Sequence, residues 1–248
     1  MTGSDFGIEK VVRTSFYRIH QVPIGTDGRV YTVELQTDLL GNGAYMTQDQ
    51  WAEVSKAGLD IGGYGYLSLP QIRSVVHILR VNDDNSQYKS FVREVQDFLK
   101  GKHIERWLIT STRVNYIPDK DEDFVIHEFG LNGEHKIKAN ILGSDEWLNK
   151  TRTPQGYQAL FDTDDDIKEI NDDFKYIYGT DTFVFKYNSN LIGIGMRAVN
   201  FNSAIDTRAV SLNAGPDKFY IYCDRNLQNL NSAIGGRIFA EGETAPKN

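Results

Sequence analysis

The sequence predicts an α+β fold, with antiparallel hairpins and a helical segment in the N-terminal half and a mostly β C-terminal region that contains one amphipathic helix. Three observations support this class: two strand–turn–strand patterns, three capped or apolar-periodic segments between them, and short β-like segments divided by Gly, Asn and Asp from residue 191 onward. With 40% hydrophobic and 25% charged residues among 248, the composition is typical of a globular protein.

The first strand–turn–strand pattern predicts an N-terminal hairpin. Residues 11–22 and 29–36 are predicted to be strands, joined by a turn at Asp27-Gly28. The second strand alternates between two residue sets, so one of its faces is expected to be buried. These sets are Val30, Thr32 and Glu34 on one side and Tyr31, Val33 and Leu35 on the other.

Three helices are predicted to follow this hairpin. Thr47 with Gln50, and Ser68 with Gln71, have the spacing of a capping box at a helix start, and the third helix is expected from about 86 to 100. Their predicted apolar faces are Trp51, Val54 and Ala57, then Ile72, Val75, Val76 and Leu79, then Tyr88, Phe91, Val92, Val95, Phe98 and Leu99. A long strand over 106–116 comes next, and a further amphipathic helix is expected over 164–178.

Asn132-Gly133 predicts the second hairpin, because both residue types tolerate the positive φ angles of a type I′ turn. A two-residue turn would place Phe124 opposite Ile141 and Ile126 opposite Ala139, and would make these side chains the buried face. In that register His127 is expected to be an exposed strand histidine that points away from His135.

The sequence is compatible with two domain organisations. Residues 1–142 form one predicted α+β region and residues 157–242 a β-rich region with one helix, separated by a polar segment over 143–156 that contains Pro154. This segment is interpreted as a linker, or as a loop with a short helix around Trp147. The two regions are either separate domains or parts of a single domain that share one sheet and one core.

Charge and cysteine content limit the classes of partner. The net charge is −7, and its excess lies in residues 121–248, because residues 1–120 carry 14 basic and 14 acidic side chains. An acidic surface repels phosphate backbones, so nucleic acid is not expected as a partner. One cysteine excludes an internal disulfide, and residues 1–9 lack a signal-peptide pattern. We therefore expect no membrane partner and a cytoplasmic location, or assembly into a virus particle inside a host cell.

Asp162, Asp164 and Asp166 offer carboxylates with the spacing that begins a calcium-binding loop. The pattern then departs from such a loop, since Ile167 stands where Gly is required and Asp173 where Glu is required. The favoured interpretation is that these side chains cap the following helix and suit the positive end of its dipole, with a divalent metal site as the alternative.

Two further side chains are candidate catalytic groups. Cys223 alternates with Phe219 and Ile221 on one face of a predicted strand, which favours a buried structural thiol; the alternative is a nucleophile activated by one of His20, His77, His103 or His127. His127 followed by Glu128 begins a zinc-protease motif, but the second histidine of that motif is missing.

No cofactor is expected. Residues 193–198 fit the loose form of a dinucleotide-binding fingerprint, yet residues 199–202 predict strand or loop where the motif requires a helix.

The C-terminal region is rich in Asn and aromatic residues, a combination that binds peptides or sugars through amide hydrogen bonds and a flat apolar platform. Tyr220, Tyr222 and Asn226 are the candidate ligand-binding residues, although Asn also simply favours turns. The leading hypothesis is a non-catalytic binding or assembly protein, with a protein partner or self-association in a homomeric or viral structure. The rival hypothesis is a hydrolase that uses Cys223 with a histidine, or a divalent metal at residues 162–166.

Overall fold

The computed structural model describes residues 7–11, 16–105, 107–117, 123–139, 154–178, 183–186, 206–214 and 219–240. Within these ranges the elements are, in order, β1 Ile8–Val11, β2 Phe16–Pro23, β3 Val30–Leu39, α1 Leu40–Gly43, α2 Gln48–Asp60, β4 Gly65–Tyr66, α3 Leu69–Val81, α4 Lys89–Glu105, β5 Leu108–Tyr116, β6 Asp123–His127, β7 His135–Ala139, α5 Pro154–Phe161, α6 Ile167–Tyr178, β8 Phe183–Lys186, β9 Asp206–Ala214, β10 Phe219–Arg225 and β11 Ser232–Ala240. The predicted α+β class is confirmed. None of the helices in these ranges is long and apolar enough to cross a membrane.

The strands form one mixed sheet in the order β1-β2-β3-β11-β5-β9-β10-β8, with β4 paired to β11 and the β6–β7 hairpin paired to β5. Most of these pairs are antiparallel, whereas β11 with β5 and β10 with β8 are parallel. The last strand in the sequence, β11, hydrogen-bonds to β3 on one side and β5 on the other. Strands from both halves of the chain therefore alternate in one sheet.

The two faces of the sheet are covered differently. Helices α3, α4 and α6 pack on one face, where Val75, Val92 and Phe174 join the largest cluster of buried apolar residues. Helix α2 packs on the other face over a smaller cluster around Trp51 and Ile109. Because side chains alternate along a strand, each central strand contributes to both layers.

Both predicted capping boxes are confirmed, at Thr47 and at Ser68. The predicted apolar face of α3 is also confirmed, because Ile72, Val75, Val76 and Leu79 are all buried. The N-terminal hairpin is formed by β2 and β3 as expected, but the predicted first strand over 11–22 is wrong at its start, because Val11 belongs to the separate strand β1 and pairs with Phe16 of β2.

The predicted apolar face of α2 is wrong except for Trp51. Val54 is 44% exposed, and the buried face consists of Gln48, Trp51, Ala52 and Ser55. Gln48 is buried because its amide nitrogen donates to the carbonyl oxygens of Thr110 and Thr112, at 2.7 and 2.9 Å. A helix that docks through small and hydrogen-bonding side chains does not show an apolar stripe.

The predicted register of the β6–β7 hairpin is wrong. Val125 pairs with Ile137 and His127 with His135, and residues 128–134 form the connection instead of a two-residue turn. In this connection Gly130 has φ +74° and a Cβ there would lie 2.7 Å from Ala52 Cβ, so the connection packs tightly on α2. The difference in register exchanges the two faces, since side chains alternate with a period of two. Val125 and His127 are consequently buried, and Phe124 and Ile126 are half-buried.

The polar segment before Phe161 contains an element that the pattern did not predict. Helix α5 begins at Pro154, a residue that is tolerated in a first helical turn, and buries Ala159, Leu160 and Phe161. The predicted helix around Trp147 lies outside the described residues. Helix α4 continues through Gly101, where the sequence predicted its end, to Glu105.

Candidate functional site

The Cys223 side chain is completely buried, with 0% exposure, among the apolar residues beneath α6. A thiol in this position cannot reach a substrate while the core is packed. This burial favours a structural cysteine. Among its suggested histidine partners, the side chain of His103 is outside the described residues.

His127 is buried with 0% exposure, so the expectation of an exposed histidine is wrong. Its Nε2 lies 2.8 Å from the Ala159 carbonyl oxygen and its Nδ1 3.1 Å from Thr112 Oγ1. A neutral ring that donates from Nε2 and accepts at Nδ1 satisfies both contacts. Burial lowers the pKa of His127 to about 4, which keeps the ring neutral. These contacts are those of a structural side chain that ties β6 to α5.

His135 lies on the same face as His127, contrary to the prediction, and the two ring centres are 5.2 Å apart. The Nε2 atom of His135 contacts the Asp162 carboxylate at 3.2 Å, and its Nδ1 contacts the Gly133 carbonyl oxygen at 3.0 Å. Hydrogen bonding to Asp162 raises the pKa of His135 to about 9, with burial acting in the opposite direction. The protonated ring donates to both acceptors.

The carboxylates of the predicted metal site have separate roles. Asp162 pairs with His135, whereas Asp166 accepts a hydrogen bond from the backbone N–H of Glu169 at 2.8 Å, as a helix-capping residue does. Asp164 is exposed. In the described part of the chain, these three side chains do not bring their oxygens within 4.8 Å of one another as a group.

A polar network joins α3 to α6. Asp173 is 0% exposed. Its Oδ2 forms an ion pair with Arg73, whose Nε lies 2.6 Å away without hydrogen-bond geometry, and its Oδ1 accepts from Arg80 Nε at 2.7 Å and contacts His77 Nδ1 at 3.1 Å. Glu169, one turn before Asp173, also pairs with Arg80. Burial opposes the charge of Arg80, but its hydrogen bonds and charge interactions with Asp173 and Glu169 raise its pKa overall.

His77, Glu169 and Asp173 place their ligand atoms within 4.8 Å of one another, which is the spacing of a metal site. The two guanidinium groups of Arg73 and Arg80 already occupy the carboxylate oxygens of this group. A divalent cation would have to displace both arginines and then lie beside their charges. The group is therefore better described as an ion-pair network than as a metal centre.

A cleft of about 260 Å³ borders this network, between the β2–β3 turn, α3 and the α5–α6 connection. It is lined by Pro23, Gly25, Thr26, Gly28, Arg73, Ser74, His77, Phe161, Asp162, Thr163, Asp164 and Asp165. Arg73 lines this cleft and forms ion pairs with Asp165, at 2.6 Å between Nη1 and Oδ2, and with Asp173. Burial favours the neutral acid at Asp165, but the charge and hydrogen bond of Arg73 lower its pKa overall.

An aromatic strip, defined here as Trp107, Tyr220, Tyr222 and Arg225, lies on the other face of the sheet. The ring centres of Tyr220 and Tyr222 are 5.5 Å apart, Trp107 and Tyr222 are 4.4 Å apart, and the Arg225 guanidinium lies 4.2 Å from the centre of a Trp107 ring. All four side chains are half-buried. Their alternation with Phe219, Ile221 and Cys223 directs them away from the core beneath α6.

Of the predicted ligand-binding residues, Tyr220 and Tyr222 come together in this strip. Asn226 instead shapes the turn after β10, because its side-chain oxygen accepts the Gln228 backbone N–H at 2.9 Å. The asparagines over 188–202 and the Gly-rich motif at 193–198 lie outside the described residues.

Sequence reasoning missed the α3–α6 network and the role of Trp107. The network did leave a signal, because Arg73, His77 and Arg80 follow i, i+4, i+7 spacing and Glu169 and Asp173 follow i, i+4 spacing. Opposite charges on the stripes of two helices are the pattern of a helix–helix ion-pair contact. Trp107 gave no such signal in the sequence, because it contacts Tyr222 and Arg225 of β10, more than 100 residues later in the chain.

In comparisons with known proteins, no protein-family model matches this chain, and no curated protein or solved structure shows significant similarity to it.

Proposed function

We propose that this protein is a non-catalytic binding and assembly protein that associates with further copies of its own chain through the aromatic strip. The observation that carries the proposal is the row of ring contacts from Trp107 through Tyr222 to Tyr220, with Arg225 beside Trp107, on the sheet face opposite the core beneath α6.

The residue types in the strip are those that contribute most to protein interfaces. Trp, Tyr and Arg are enriched among interface residues whose truncation costs about 2 kcal/mol or more. The contacts between neighbouring rings, and between Arg225 and Trp107, also restrict these side chains before a partner binds. Binding then avoids part of the cost, about 0.5–1.5 kcal/mol, of immobilising each flexible side chain.

Arg225 gives the strip a local positive charge that suits an acidic surface on a second copy, and this local attraction acts against the overall repulsion between two copies of the same net charge. The chain carries a net charge of −7, so the surface of another copy is acidic overall. Within the strip, the half-buried Arg225 guanidinium group instead lies against the aromatic ring of Trp107. A contact between the strip of one copy and an acidic surface of the next is heterologous, which forms a ring or an open filament rather than a two-fold dimer.

Light scattering over a concentration series tests this proposal, with the wild type, a Trp107→Ala/Tyr222→Ala variant and a Tyr45→Ala variant. Tyr45 is 55% exposed and lies outside the strip, so its replacement is the matched control. We expect the wild type and the control to form larger species as concentration rises, and association of the double variant to weaken by at least about 30-fold. Circular dichroism checks that all three proteins are folded.

A wild type that remains monomeric across the series would overturn the proposal. This holds even if the monomer binds a different protein, because the proposed partner is a second copy of the chain. Equal association of the wild type and a folded double variant would also overturn it, because the contact would then lie elsewhere. The rival hydrolase hypothesis has no comparable support, since Cys223 is sealed in the core and the carboxylates of Asp162, Asp164 and Asp166 do not converge.

A further inference from the structure

We propose that the acidic surface that receives the aromatic strip is the outer face of helix α2 in the next copy of the chain. This inference rests on the proposed function and names the second half of the same contact. The outer face is defined here as Val54, Ala57 and Ile61 together with Glu53 and Asp60. Three features support it: a row of exposed apolar side chains, a carboxylate near each end of that row, and a length that matches the strip.

The apolar row lies on the side of α2 that points away from the sheet. Val54, Ala57 and Ile61 have i, i+3, i+7 spacing, and the buried side of the same helix consists of Gln48, Trp51, Ala52 and Ser55. Val54 is 44% exposed, and Ile61, the C-cap residue, is 79% exposed, the largest value for a large apolar side chain in the part of the chain that the structure describes. Single exposed apolar residues are ordinary, whereas a row at this spacing is typical of a helix face that contacts a partner.

The fold of one chain does not account for this row. The sequence predicts Trp51, Val54 and Ala57 as one buried face, yet only Trp51 of the three is buried. Helix propensity does not account for Val54 either, because a β-branched residue is slightly unfavourable in a helix. Contact with another copy would remove this apolar surface from water.

Two carboxylates border the row, one near each end. Glu53 precedes Val54 and Asp60 precedes Ile61, and both acidic side chains are exposed. No group in the described residues forms a hydrogen bond or an ion pair with either carboxylate. Lys56 is also exposed, but it lies further around the helix from the row than the two carboxylates do, so the border of the row is negative.

The strip and the outer face have similar lengths. Val54 and Ile61 are seven positions apart, which corresponds to roughly 10 Å along a helix. The consecutive ring centres of Trp107, Tyr222 and Tyr220 are 4.4 and 5.5 Å apart, which gives the strip a comparable extent. A helix laid on the face of a sheet is an ordinary way for two layers to pack.

The charges of the two surfaces are also complementary. Arg225 lies beside Trp107, at one end of the strip. Because Glu53 and Asp60 are near opposite ends of the apolar row, either direction of α2 along the strip brings a carboxylate towards the guanidinium group. Arginine pairs well with carboxylates, since its planar group can donate two parallel hydrogen bonds.

Light scattering over a concentration series tests the apolar part of the contact. The outer-face variant Val54→Ala/Ile61→Ala should associate at least about tenfold more weakly than the wild type, because the contact loses apolar area. It should fold, since both side chains are exposed, and circular dichroism checks this. Tyr45→Ala/Val81→Ala removes two exposed side chains outside the outer face and should associate like the wild type.

A mixture of two variants tests the pairing of the two surfaces. The strip variant Trp107→Ala/Tyr222→Ala keeps an intact outer face, and the outer-face variant keeps an intact strip. At a concentration where the wild type associates, each variant alone should be mostly monomeric. The mixture should form a one-to-one complex with the mass of two copies.

Replacement of the carboxylates tests the charge contact. Glu53→Gln/Asp60→Asn should weaken association about threefold at low salt, as expected for an exposed ion pair, and the difference should shrink as salt increases. Asp164→Asn/Asp172→Asn changes the net charge equally at positions outside the outer face and is the matched control. This control should associate at least as well as the wild type, because it only reduces the overall repulsion.

The inference is overturned, and the proposed function is not, if the strip variant loses association while the outer-face variant associates like the wild type. It is also overturned if the mixture forms no complex, or if the carboxylate variant and its control associate equally. A wild type that stays monomeric overturns the proposed function itself, and this inference with it.

Discussion

Asp173 is the side chain whose removal should be most costly at the scale of single residues. Replacement by Ala leaves Arg73 and Arg80 without their shared buried partner, and breaking a buried ion pair from one side costs about 3–5 kcal/mol. We expect Asp173→Ala to lower the free energy of unfolding by about this amount in urea denaturation.

Asp172→Ala is the matched control for this variant. Asp172 is 39% exposed and its pairing with Lys168 is on the surface of α6, so its removal should leave the unfolding free energy close to that of the wild type. Equal stabilities of the two variants would show that the network contributes no more than a surface ion pair.

His135 should make stability depend on pH on the alkaline side. Its pKa is about 9 in the folded protein against 6.5 for an ordinary histidine, so the folded state binds the proton more tightly. The resulting stabilisation is complete below pH 6.5 and is lost as pH rises from 6.5 to 9. Denaturation of the wild type and of His135→Gln across this range should show a difference in stability that shrinks with increasing pH.

His127 should make stability depend on pH in the opposite direction, on the acid side. Its folded pKa of about 4 is below the ordinary value of 6.5, so the stability associated with the neutral ring is lost as pH falls from 6.5 to 4. Histidine resonances followed by NMR should therefore separate, with His127 titrating near pH 4 and His135 near pH 9. Two ordinary titrations near 6.5 would contradict the ring contacts described above.

At the scale of elements, the β6–β7 connection packs against α2. Replacing Gly130 and, for comparison, Gly28 by Ala tests how much this packing contributes to the free energy of unfolding. Gly28 and Gly130 have nearly the same φ, +72° and +74°, in the left-handed region. A Cβ at Gly28 meets nothing within 4 Å, whereas a Cβ at Gly130 would lie 2.7 Å from that of Ala52. Gly28→Ala should cost about 1–2 kcal/mol of unfolding free energy from the left-handed backbone alone.

Gly130→Ala should cost a further amount of about 1–3 kcal/mol, because α2 or the connection must move to admit the methyl group. Thermal or urea denaturation of the two variants gives this difference directly. If both variants lose the same stability, the connection does not depend on its packing against α2.

At the scale of the whole molecule, the position of β11 between β3 and β5 should couple the unfolding of both halves of the chain. Ile234 lies in β11, is 1% exposed and belongs to the main apolar cluster, so Ile234→Ala should cost about 2–5 kcal/mol. Tryptophan fluorescence and the reactivity of the buried Cys223 thiol should agree with each other on the denaturation midpoint. This agreement should hold for the wild type and, at a lower denaturant concentration, for Ile234→Ala.

Ile61→Ala is the control for this experiment, because Ile61 is 79% exposed and its replacement should leave both midpoints unchanged. Separate midpoints for the two probes in the wild type would show that the halves unfold independently despite the shared sheet.

The sequence by itself determined the elements whose signals are local. Helix α3 is defined by its capping box at Ser68 and by four apolar residues at helical spacing, and both features depend only on neighbours within a few turns. The β2–β3 hairpin is likewise specified by its turn and its alternating pattern. The α+β class followed from these elements.

The tertiary structure decided every feature in which the partners are distant in sequence. The register of β6 and β7 differs from that of the two-residue turn that Asn132-Gly133 locally favours, and the longer connection packs Gly130 against Ala52, a residue distant in the sequence. The same reason applies to the cleft and the aromatic strip. Ser74 and Asp164, like Trp107 and Tyr222, lie about 90 or more residues apart, and only the folded chain brings each pair to one surface.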